Sequence, residues 1–554
     1  MSAQGPRAAG GIAAAAVAVG VAQLLGAAFG PQADVRTAVG SAVIELTPGP
    51  VKEWAIQLFG TADKLFLSVA VLVAIALLAA VAGLAERKRR PIGSAMIAIA
   101  GVVGCAAVLS RAQGSAVDVI PTIVGAVCGI GTLRLLISDR FATTGGAGES
   151  GEAGGAGESG EAGGAGESGE AGGAGGTSPA GGAGESAEDS EAGPPDRAKR
   201  RSLLTLGLIG AGVASGVAGA VITRLTSSVA GDRQQFALPE VDVPAAPIPP
   251  TVQPKNVDLP SFVTANPDFY RIDTALTVPQ LSREQWELRI HGMVDREVTF
   301  RWGDLDRFEA VEQAVTLTCV SNPVGGELIS NAVWTGYRVR DLLAEAGVRD
   351  DADMVLSRSI DGWTAGTPVD ALTGEKAMLA VAMNGEPLPV EHGYPARLVV
   401  PGLYGYVSAT KWVIDMEVTR FDRAEAYWTR LGWSARGPIK TESRIDVPRS
   451  GQDVPAGQVT FGGVAWAQDR GVRAVEVRVD GPDGEGRWQQ ATLGAAYSDE
   501  TWRLWSLDWE ARQPGPHTIT VRATDNTGYT QTSERADPVP DGATGWHSVD
   551  FAVT

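Results

Sequence analysis

Five apolar runs of about 20 residues each occupy most of the chain before residue 223. A helix rises 1.5 Å per residue, so about 20 apolar residues span the hydrocarbon core of a bilayer. The runs cover residues 9–30, 65–85, 91–110, 116–137 and 202–222. We therefore expect a four-helix transmembrane region over residues 1–140 and a fifth transmembrane helix over residues 202–223.

Basic residues give these spans an orientation. Short loops with an excess of Lys and Arg stay on the cytoplasmic side of a membrane. Basic residues stand at Arg7, in the turn 87–90, at Arg134 and Arg140, and within residues 197–201. Placing all of them in the cytoplasm gives five alternating spans without conflict. The sequence thus predicts a multi-pass cell-membrane protein whose chain beyond about residue 224 is extracytoplasmic.

The segment between the fourth and fifth spans, residues 141–201, has low complexity. Residues 145–171 repeat the unit GGAGESGEA three times. Such a composition cannot bury a core and is typical of a flexible acidic linker, here on the cytoplasmic side. A docking tail for a basic partner stays open as the alternative.

The charge of the whole chain argues against nucleic acid as a partner. Acidic residues outnumber basic ones, which gives a net charge of −18. Nucleic-acid binding needs clustered Lys and Arg to displace counterions from phosphates. We expect no nucleic-acid partner.

The fifth span begins with an export-like pattern. The run Lys199-Arg200-Arg201-Ser202-Leu203-Leu204 precedes a Gly- and Ala-rich apolar segment and resembles a twin-arginine signal placed inside the chain. That pathway moves folded proteins, which suits a domain that acquires a cofactor in the cytoplasm. An ordinary positive-inside anchor is the alternative. Residues 228–230 could be a cleavage site, or the span could stay as an anchor.

Three further regions follow the fifth span. Residues 224–260 are rich in proline, which predicts an extended spacer that lifts the next domain off the membrane. Residues 261–450 mix β-rich and helix-like runs without strict βαβ alternation, which favours an α+β domain. Residues 451–554 are short strands separated by turn signals, a pattern typical of an immunoglobulin-like β-sandwich.

Cys319 is the only cysteine beyond the spans. The other two, Cys105 and Cys128, lie in apolar runs. Cys319 could therefore be a core thiol, a partner in an intermolecular disulfide, or a nucleophile or metal ligand. It ends a β-rich run and precedes a turn, a position where reactive groups are often presented. No histidine precedes His291 and no Cys-x-x-Cys-His motif occurs, so we expect electrons to come from or go to a separate partner.

The motifs around Cys319 resemble the sulfite oxidase family. In that family an Asn follows the cysteine by three residues, and a Trp-x-Gly then precedes a helix; here these are Asn322 and Trp334-Thr335-Gly336. Other segments fall into the same register. They are NPDFYR at 266–271, NGEPLP at 384–389, HGYPAR at 392–397 and VPGLYGYVSATKW at 400–412.

The resemblance implies a sulfite-oxidase-type molybdopterin domain over residues 261–450 that holds one molybdenum–molybdopterin per chain. Cys319 would bind the metal, and the catalytic residues would be Cys319, Arg271 and Trp334. The cofactor-binding residues would be Asn266, Tyr270, Arg271, Cys319, Ser359, His392, Arg397, Ser408, Thr410 and Lys411. The chemistry agrees, because an anionic phosphate favours Arg, Lys, His and Ser, and soft molybdenum favours a thiolate.

The same resemblance implies oxygen-atom transfer at a small sulfur-containing substrate. The C-terminal sandwich resembles the dimerisation domain of the family, so a homodimer is possible. Sulfite-oxidising members carry arginines after the cysteine motif, whereas Pro323 and Val324 stand here. A sulfoxide reductase of the same family is thus one alternative, although that branch lacks the dimerisation domain. A non-catalytic surface-binding protein that has kept the fold is the other.

Overall fold

The protein is seen in a computed structural model that describes residues 4–47, 51, 63–87, 89–111, 115–138 and 197–554. Most of the expected cytoplasmic linker, residues 141–196, lies outside this part. The described chain forms an N-terminal helical bundle, an α+β domain and a C-terminal β-sandwich. A segment that joins the last helix of the bundle to the α+β domain is described below.

In the part that the structure describes, the N-terminal region is mostly helical, with a short hairpin formed by β1 (Glu86–Arg87) and β2 (Arg90–Pro91). In chain order the helices are α1 (Gln4–Phe29), α2 (Val35–Leu46), α3 (Asp63–Ala85), α4 (Ile92–Leu109), α5 (Ile120–Ile137) and α6 (Arg197–Thr226). Helix α1 is central and packs against α3, α5 and α6. Small residues permit this, since a Cβ at Gly20 would lie 2.1 Å from the carbonyl oxygen of Gly212.

Four helices in the described part are long and apolar enough to cross a membrane: Gly5–Phe29, Ile92–Leu109, Ile120–Ile137 and Ser202–Gln234. Val69–Ala85 is a shorter apolar helix at the predicted second span. Large apolar side chains on these helices face outward, as Leu77 and Val102 do. The short helix α2 has no counterpart among the predicted elements. Its Ala38 packs against Ala107 at the end of α4.

The α+β domain is built on two five-stranded sheets. The first has the order β10-β9-β6-β5 with β11 beside β9, and the second has the order β4-β3-β12-β7-β8. The strands are β3 (Glu287–Gly292), β4 (Val298–Arg301), β5 (Ala310–Thr318), β6 (Ile329–Arg338), β7 (Met354–Ser359), β8 (Thr364–Pro368), β9 (Met378–Met383), β10 (Glu386–Pro387), β11 (Arg397–Val399) and β12 (Val413–Thr419). Only β3 and β12 pair in parallel. Mixed sheets of this kind agree with the expected α+β class.

Hydrophobic patterning explains the main elements of this domain. Every residue of β9, with the sequence MLAVAM, is buried, as expected for a strand covered on both faces. Three helices belong to this domain: α7 (Ala230–Gln234), α8 (Val339–Ala346) and α9 (Val369–Thr373). Helix α8 buries residues 339, 342, 343 and 346 and ends at Gly347, whose φ of 72° is left-handed. These elements hold the strand ends at which the candidate site lies.

The C-terminal domain is a β-sandwich. Its sheets have the orders β13-β15-β19-β18 and β14-β21-β20-β16-β17. The strands are β13 (Glu442–Val447), β14 (Gln452–Val454), β15 (Gly457–Trp466), β16 (Val472–Asp480), β17 (Gln489–Gln490), β18 (Thr492–Leu493), β19 (Arg503–Ala511), β20 (Gly515–Asp525) and β21 (His547–Val553). Apolar side chains of both sheets, including Phe461 and Val521, form one core. Its immunoglobulin-like character stays a prediction.

The residues directly after α6 are part of the α+β domain. Val229 is buried, and helix α7 (Ala230–Gln234) follows it. The Arg233 guanidinium donates to the carbonyl oxygens of Leu388 and Pro387 at 2.9 and 2.8 Å. The Asp232 carboxylate pairs with Arg283 at 2.7 Å and accepts from the Tyr394 hydroxyl at 2.6 Å. Helix α6 therefore joins the domain through a packed and charged contact.

Residues 237–260, here called the strap, also lie against folded structure. The amides of Asp242 and Val243 donate to the carbonyl oxygen of Ala310 at 2.9 and 3.2 Å. The amide of Ala495 in the sandwich donates to Thr251 at 2.8 Å, and Val252 is buried. We expected a spacer over residues 224–260 that lifts the domain off the membrane, and this spacing stays a prediction. The structure shows that the strap packs against both the α+β domain and the sandwich.

Candidate active site

Cys319 lies directly after β5, where the chain turns. Its amide donates to the Leu328 carbonyl oxygen at 3.0 Å, and the Asn322 amide donates back to Cys319 at the same distance. The thiol is free and only 9% exposed. Burial raises its pKa, against hydrogen bonds from Ser321 and the positive charge of Lys411. The thiol therefore needs a strongly charged partner, such as a metal, to lose its proton.

Cys319 has no protein co-ligands for a metal. Over the described residues, no group of three or more His, Cys, Asp or Glu side chains comes together. A metal held by this thiolate must take its remaining ligands from a non-protein group. The sulfur atoms of a molybdopterin are such ligands, so this arrangement fits the expected cofactor.

Arg397 is the most buried cation near Cys319. It lies at the start of β11 and is 3% exposed. Its guanidinium donates to the carbonyl oxygens of His392 and Ala409 at 3.1 and 3.4 Å and stacks 5.1 Å over the Trp334 ring. Burial lowers the pKa of Arg397 to about 10. A buried cation whose contacts are carbonyls and an aromatic face is suited to an anionic ligand.

Lys411 adds a second buried cation. Its ammonium group donates to the carbonyl oxygen of Glu391 at 3.0 Å and to the Asp273 carboxylate at 3.3 Å. Burial lowers its pKa to about 8; Asp273 opposes this shift, and the charges of Arg397 and Arg271 add to it. Arg271 also pairs with Asp273, at 2.8 Å, and its side chain is 38% exposed at the rim. The Asp273 carboxylate thus pairs with two cations, Arg271 and Lys411. Together with Arg397, these residues form a cluster with a net positive charge.

His392 is buried and neutral in this cluster. Burial and the charges of Lys411 and Arg397 lower its pKa to about 3, although a hydrogen bond with the Asn266 backbone opposes the shift. Its Nδ1 atom finds no hydrogen-bond partner within the described chain, and the same is true of Nδ2 of Asn322. Buried polar atoms without partners mark places where a ligand can bind. The pocket therefore fits a polar, anionic cofactor.

Asn266 and Tyr270 bring the segment before β3 to this pocket. The Asn266 side-chain oxygen Oδ1 accepts from the Asn384 side-chain amide at 2.8 Å. Tyr270 stacks on Phe269 at 5.4 Å; burial raises its pKa, Cys319 adds to this shift, and the positive charge of Arg397 opposes it. Asn384, with a positive φ of 54°, also accepts from the Val333 amide at 2.9 Å. It joins three segments of the site, a role not assigned from the sequence.

The remaining predicted residues mostly support the pocket. Trp334 is fully buried; its indole N–H donates to Val315 at 3.2 Å and its ring lies under Arg397. The hydroxyl of Ser408 donates to Tyr404 at 3.0 Å, and those of Thr410 and Ser357 are 2.7 Å apart. Ser359 lies at the end of β7. The direct catalytic contact expected of Trp334 stays a prediction, and here it positions Arg397.

The sandwich reaches the loop that follows Cys319. A guanidinium nitrogen of Arg444 donates to the Gly326 carbonyl oxygen at 2.9 Å. The His547 ring packs on Gly325, where a Cβ would lie 2.3 Å from it and φ is 78°. Glycine is thus required at residue 325. Sequence reasoning missed Arg444 and His547, because neither belongs to a motif near Cys319.

Comparison with known proteins places these residues in context. The family described as "Oxidoreductase molybdopterin binding domain" matches residues 275–428. The uncharacterized oxidoreductase YuiH of Bacillus subtilis is 36% identical over 153 residues, which are 28% of this chain and 74% of YuiH. Human mitochondrial sulfite oxidase is 31% identical over 294 residues, 45% of this chain and 53% of that protein. The chain thus spans about half the length of that relative.

Two more distant similarities were also found. A barley NADH nitrate reductase is 27% identical over 334 residues, 49% of this chain and 36% of that protein. The crystal structure of the sulfane dehydrogenase SoxCD from Paracoccus pantotrophus covers 49% of this chain and 75% of its own chain, with 24% identity and a TM-score of 0.43.

Because His392 is buried, we expect the cofactor-free protein to lose stability at acid pH. The His392 pKa of about 3 in the folded chain lies below the usual value of about 6.5, so between these values the unfolded state binds more protons. Stability is then retained above pH 6.5 and lost as the pH falls toward 3. At pH 5 the loss should be roughly 2 kcal/mol relative to pH 7.5.

Thermal unfolding of the cofactor-free full chain in detergent, measured at both pH values, checks this prediction. His392→Gln should reduce the difference in unfolding temperature between pH 7.5 and pH 5. His547 titrates in both proteins, because burial also lowers its pKa to about 4, and so it cancels in the comparison. An unchanged difference in the variant would contradict the assignment to His392.

Proposed function

The chain belongs to the molybdopterin-binding oxidoreductases of sulfite oxidase type, and on that premise we propose that it transfers an oxygen atom at the sulfur of a small molecule outside the cytoplasmic membrane. It is an oxidoreductase whose cofactor is molybdenum–molybdopterin. One observation carries the proposal: the buried Cys319 thiol lies near the buried cation Lys411, which in turn lies near the buried cation Arg397. Family membership favours an enzyme over a surface-binding protein that has kept the fold.

Different residues of the pocket would hold different parts of the molybdopterin cofactor. Bound molybdopterin supplies two-electron redox chemistry and the exchange of an oxygen atom at the metal. The Cys319 thiolate would hold the metal, since soft sulfur suits it. Arg397 and Lys411 would bind the phosphate with charge-assisted hydrogen bonds. The neutral His392 offers one nitrogen that no protein group uses.

The charge at the rim of the pocket affects which substrates can bind. Arg271 is the exposed cation there, and its guanidinium is engaged by Asp273 in two hydrogen bonds. Pro323 and Val324 add no charge to the loop after Cys319. A weakly charged rim accepts sulfite through Arg271, and it also favours a second candidate, reduction of a neutral sulfoxide.

A substrate screen with the molybdenum-loaded full chain tests the proposal. Sulfite is offered with ferricyanide as electron acceptor, and dimethyl sulfoxide is offered with reduced methyl viologen as donor. Sulfite-dependent reduction of ferricyanide is the expected result. Turnover of the sulfoxide alone would establish the reductase, and turnover in neither assay would contradict both candidates.

We further propose that the bundle is embedded in the cell membrane with the α+β domain outside. Arg36, Arg111 and Arg224 line the cavity next to the α+β domain, whereas Arg7 and Arg134 lie at the far end of the bundle, which supports this orientation. Arg134 there donates to Ser94 at 3.3 Å, and the backbone of Arg7 meets Gly83. The buried Val229 also supports an uncleaved α6. The sandwich would allow a homodimer, as its family likeness suggests.

Export through the twin-arginine route gives a testable prediction. Arg200-Arg201→Lys-Lys should leave the α+β domain in the cytoplasm while the first four spans still insert, because that route reads the arginine pair and tolerates lysine poorly. Protease accessibility of a C-terminal tag in spheroplasts measures the outcome. Export at the wild-type level would show that residues 197–201 act only as a positive-inside anchor.

A further inference from the structure

A large cavity lies between the bundle and the α+β domain. Its volume is about 1250 Å³. The ends of α1, α2, α4 and α6 contribute Gln32, Arg111 and Thr223, and the α+β domain contributes Asp361 and Glu391. The volume exceeds the 300–1000 Å³ typical of small-molecule sites. The cavity is therefore large enough for a ring compound with part of a side chain.

This cavity shares a wall with the candidate cofactor site. Val390 and Glu391 line it, and the carbonyl oxygens of both residues face the cofactor side. The Trp412 indole N–H donates to Val390 at 2.8 Å, and the Lys411 ammonium group donates to Glu391 at 3.0 Å. Only one segment of backbone thus separates the cavity from a residue expected to bind the cofactor.

The cavity also lies at the level where the apolar helices end. Thr223 faces it from α6, whereas Leu225, two residues later, is 74% exposed on the outside of the bundle. Leu276 of the α+β domain reaches α2, since a Cβ on Gly40 would meet it at 2.4 Å. A molecule dissolved in the bilayer can reach this level without crossing water.

Polar groups in the cavity can hold the carbonyl groups of a ring. The Arg111 guanidinium donates to the Gln32 backbone at 3.1 Å and lies near the carboxylates of Asp34, Asp361 and Asp118. The buried side-chain oxygen of Gln32 lacks a hydrogen-bond partner in the part of the chain that the structure describes. The Asp361 carboxyl group lines the same space, and burial raises its pKa. Donors and a potential proton carrier thus meet in one place.

We propose that this cavity binds the head group of a membrane-soluble quinone, which is the electron partner of the molybdenum site. The proposal rests on the proposed function. The sequence has no histidine before His291, so the bundle cannot hold a haem through histidine, and a diffusible lipid-soluble carrier fits the cavity better. The Thr223 hydroxyl would donate to a ring carbonyl oxygen beside the positive charge of Arg111, and the apolar tail would run along α6.

The reaction balances with this partner. Sulfite, water and quinone give sulfate and quinol: the sulfur loses two electrons, water supplies the oxygen atom, and its two protons end on the quinol. With a sulfoxide the flow reverses, and quinol and sulfoxide give quinone, sulfide and water. Either direction uses the same cavity, so the site does not depend on which substrate is physiological.

Binding of decylubiquinone to the full chain in lipid nanodiscs tests the proposal. Thr223→Trp fills the cavity and should weaken binding roughly tenfold or more. Leu225→Trp adds the same ring on the lipid side of the same helix and should bind as the wild type does. Arg111→Leu, which removes the positive charge and adds no bulk, should weaken binding as well. An azidoquinone should label residues 361–363 in the wild-type chain.

Equal binding by all variants, labelling elsewhere, or a phospholipid in the cavity that decylubiquinone fails to displace would overturn the proposal. Binding is measured without a sulfur substrate. Failure of the sulfite and sulfoxide assays with artificial carriers would therefore contradict the proposed function alone. Binding without quinone-linked turnover, in a chain that does turn over with ferricyanide, would overturn the quinone as electron partner.

Discussion

Replacement of Cys319 by serine is expected to abolish turnover, with activity falling by more than about 100-fold, because outer-shell changes at metal sites already cost 10- to 100-fold. Serine is nearly isosteric, but its hard oxygen is a poor ligand for soft molybdenum. The described residues offer no cluster of protein ligands that could replace the thiolate. Bound molybdenum should fall with activity.

Metal analysis and the sulfite assay on the purified full chain measure both effects. Cys105→Ser and Cys128→Ser are matched controls, since both cysteines are free and lie in the bundle. They should keep about one molybdenum per chain. A Cys319→Ser protein with wild-type metal and turnover would show that Cys319 is not the ligand.

Arg397→Met is expected to lower the cofactor content by roughly 100-fold or more. Two charge-assisted hydrogen bonds to a phosphate are worth about 3 kcal/mol or more together, and methionine cannot make them. The stability of the cofactor-free chain should change by less than about 2 kcal/mol, because two effects oppose each other. The variant removes a buried charge, and it also leaves the carbonyl oxygens of His392 and Ala409 without their donor.

Molybdopterin content, measured by fluorescence of the oxidised pterin, and thermal unfolding of the cofactor-free chain separate the two effects. Arg397→Lys keeps the charge without the planar fork and should retain an intermediate content. Arg289→Met, at a half-exposed ion pair with Glu297 in the same domain, is the control. Loss of stability as large as the loss of cofactor affinity would make Arg397 a structural residue.

Local patterns predicted the parts of the fold that depend on neighbouring residues. The apolar runs located α1, α4, α5 and α6 within a few residues, since a transmembrane helix is encoded by continuous hydrophobicity. The family motifs located Cys319, His392, Arg397 and Lys411, and the structure brings these four side chains into one pocket. The match to the molybdopterin-binding family confirms the molybdenum cofactor that the sequence resemblance implied.

Contacts between distant segments were beyond the reach of those patterns. Proline-rich composition predicts an extended backbone for the strap. Whether such a segment packs on the folded domain depends on whether a strand edge is available to pair with it. Here Val243 pairs with Val311, which lies 68 residues further along the chain. Arg444 and His547 were missed for the same reason. Both come from the sandwich, and nothing in their own neighbourhood indicates that they support the loop after Cys319.

The packed junction after α6 also limits how such a protein can be rebuilt. Val229 lies inside the hydrophobic core, and Asp232 is linked to both Arg283 and Tyr394. Helix α6 and the α+β domain therefore cannot be exchanged independently of each other. A soluble version truncated within the proline-rich stretch would lose part of its own interior. Exchange of α6 for another helix should succeed only if the graft point lies before residue 228, and a tilt of that helix would then be transmitted to the α+β domain.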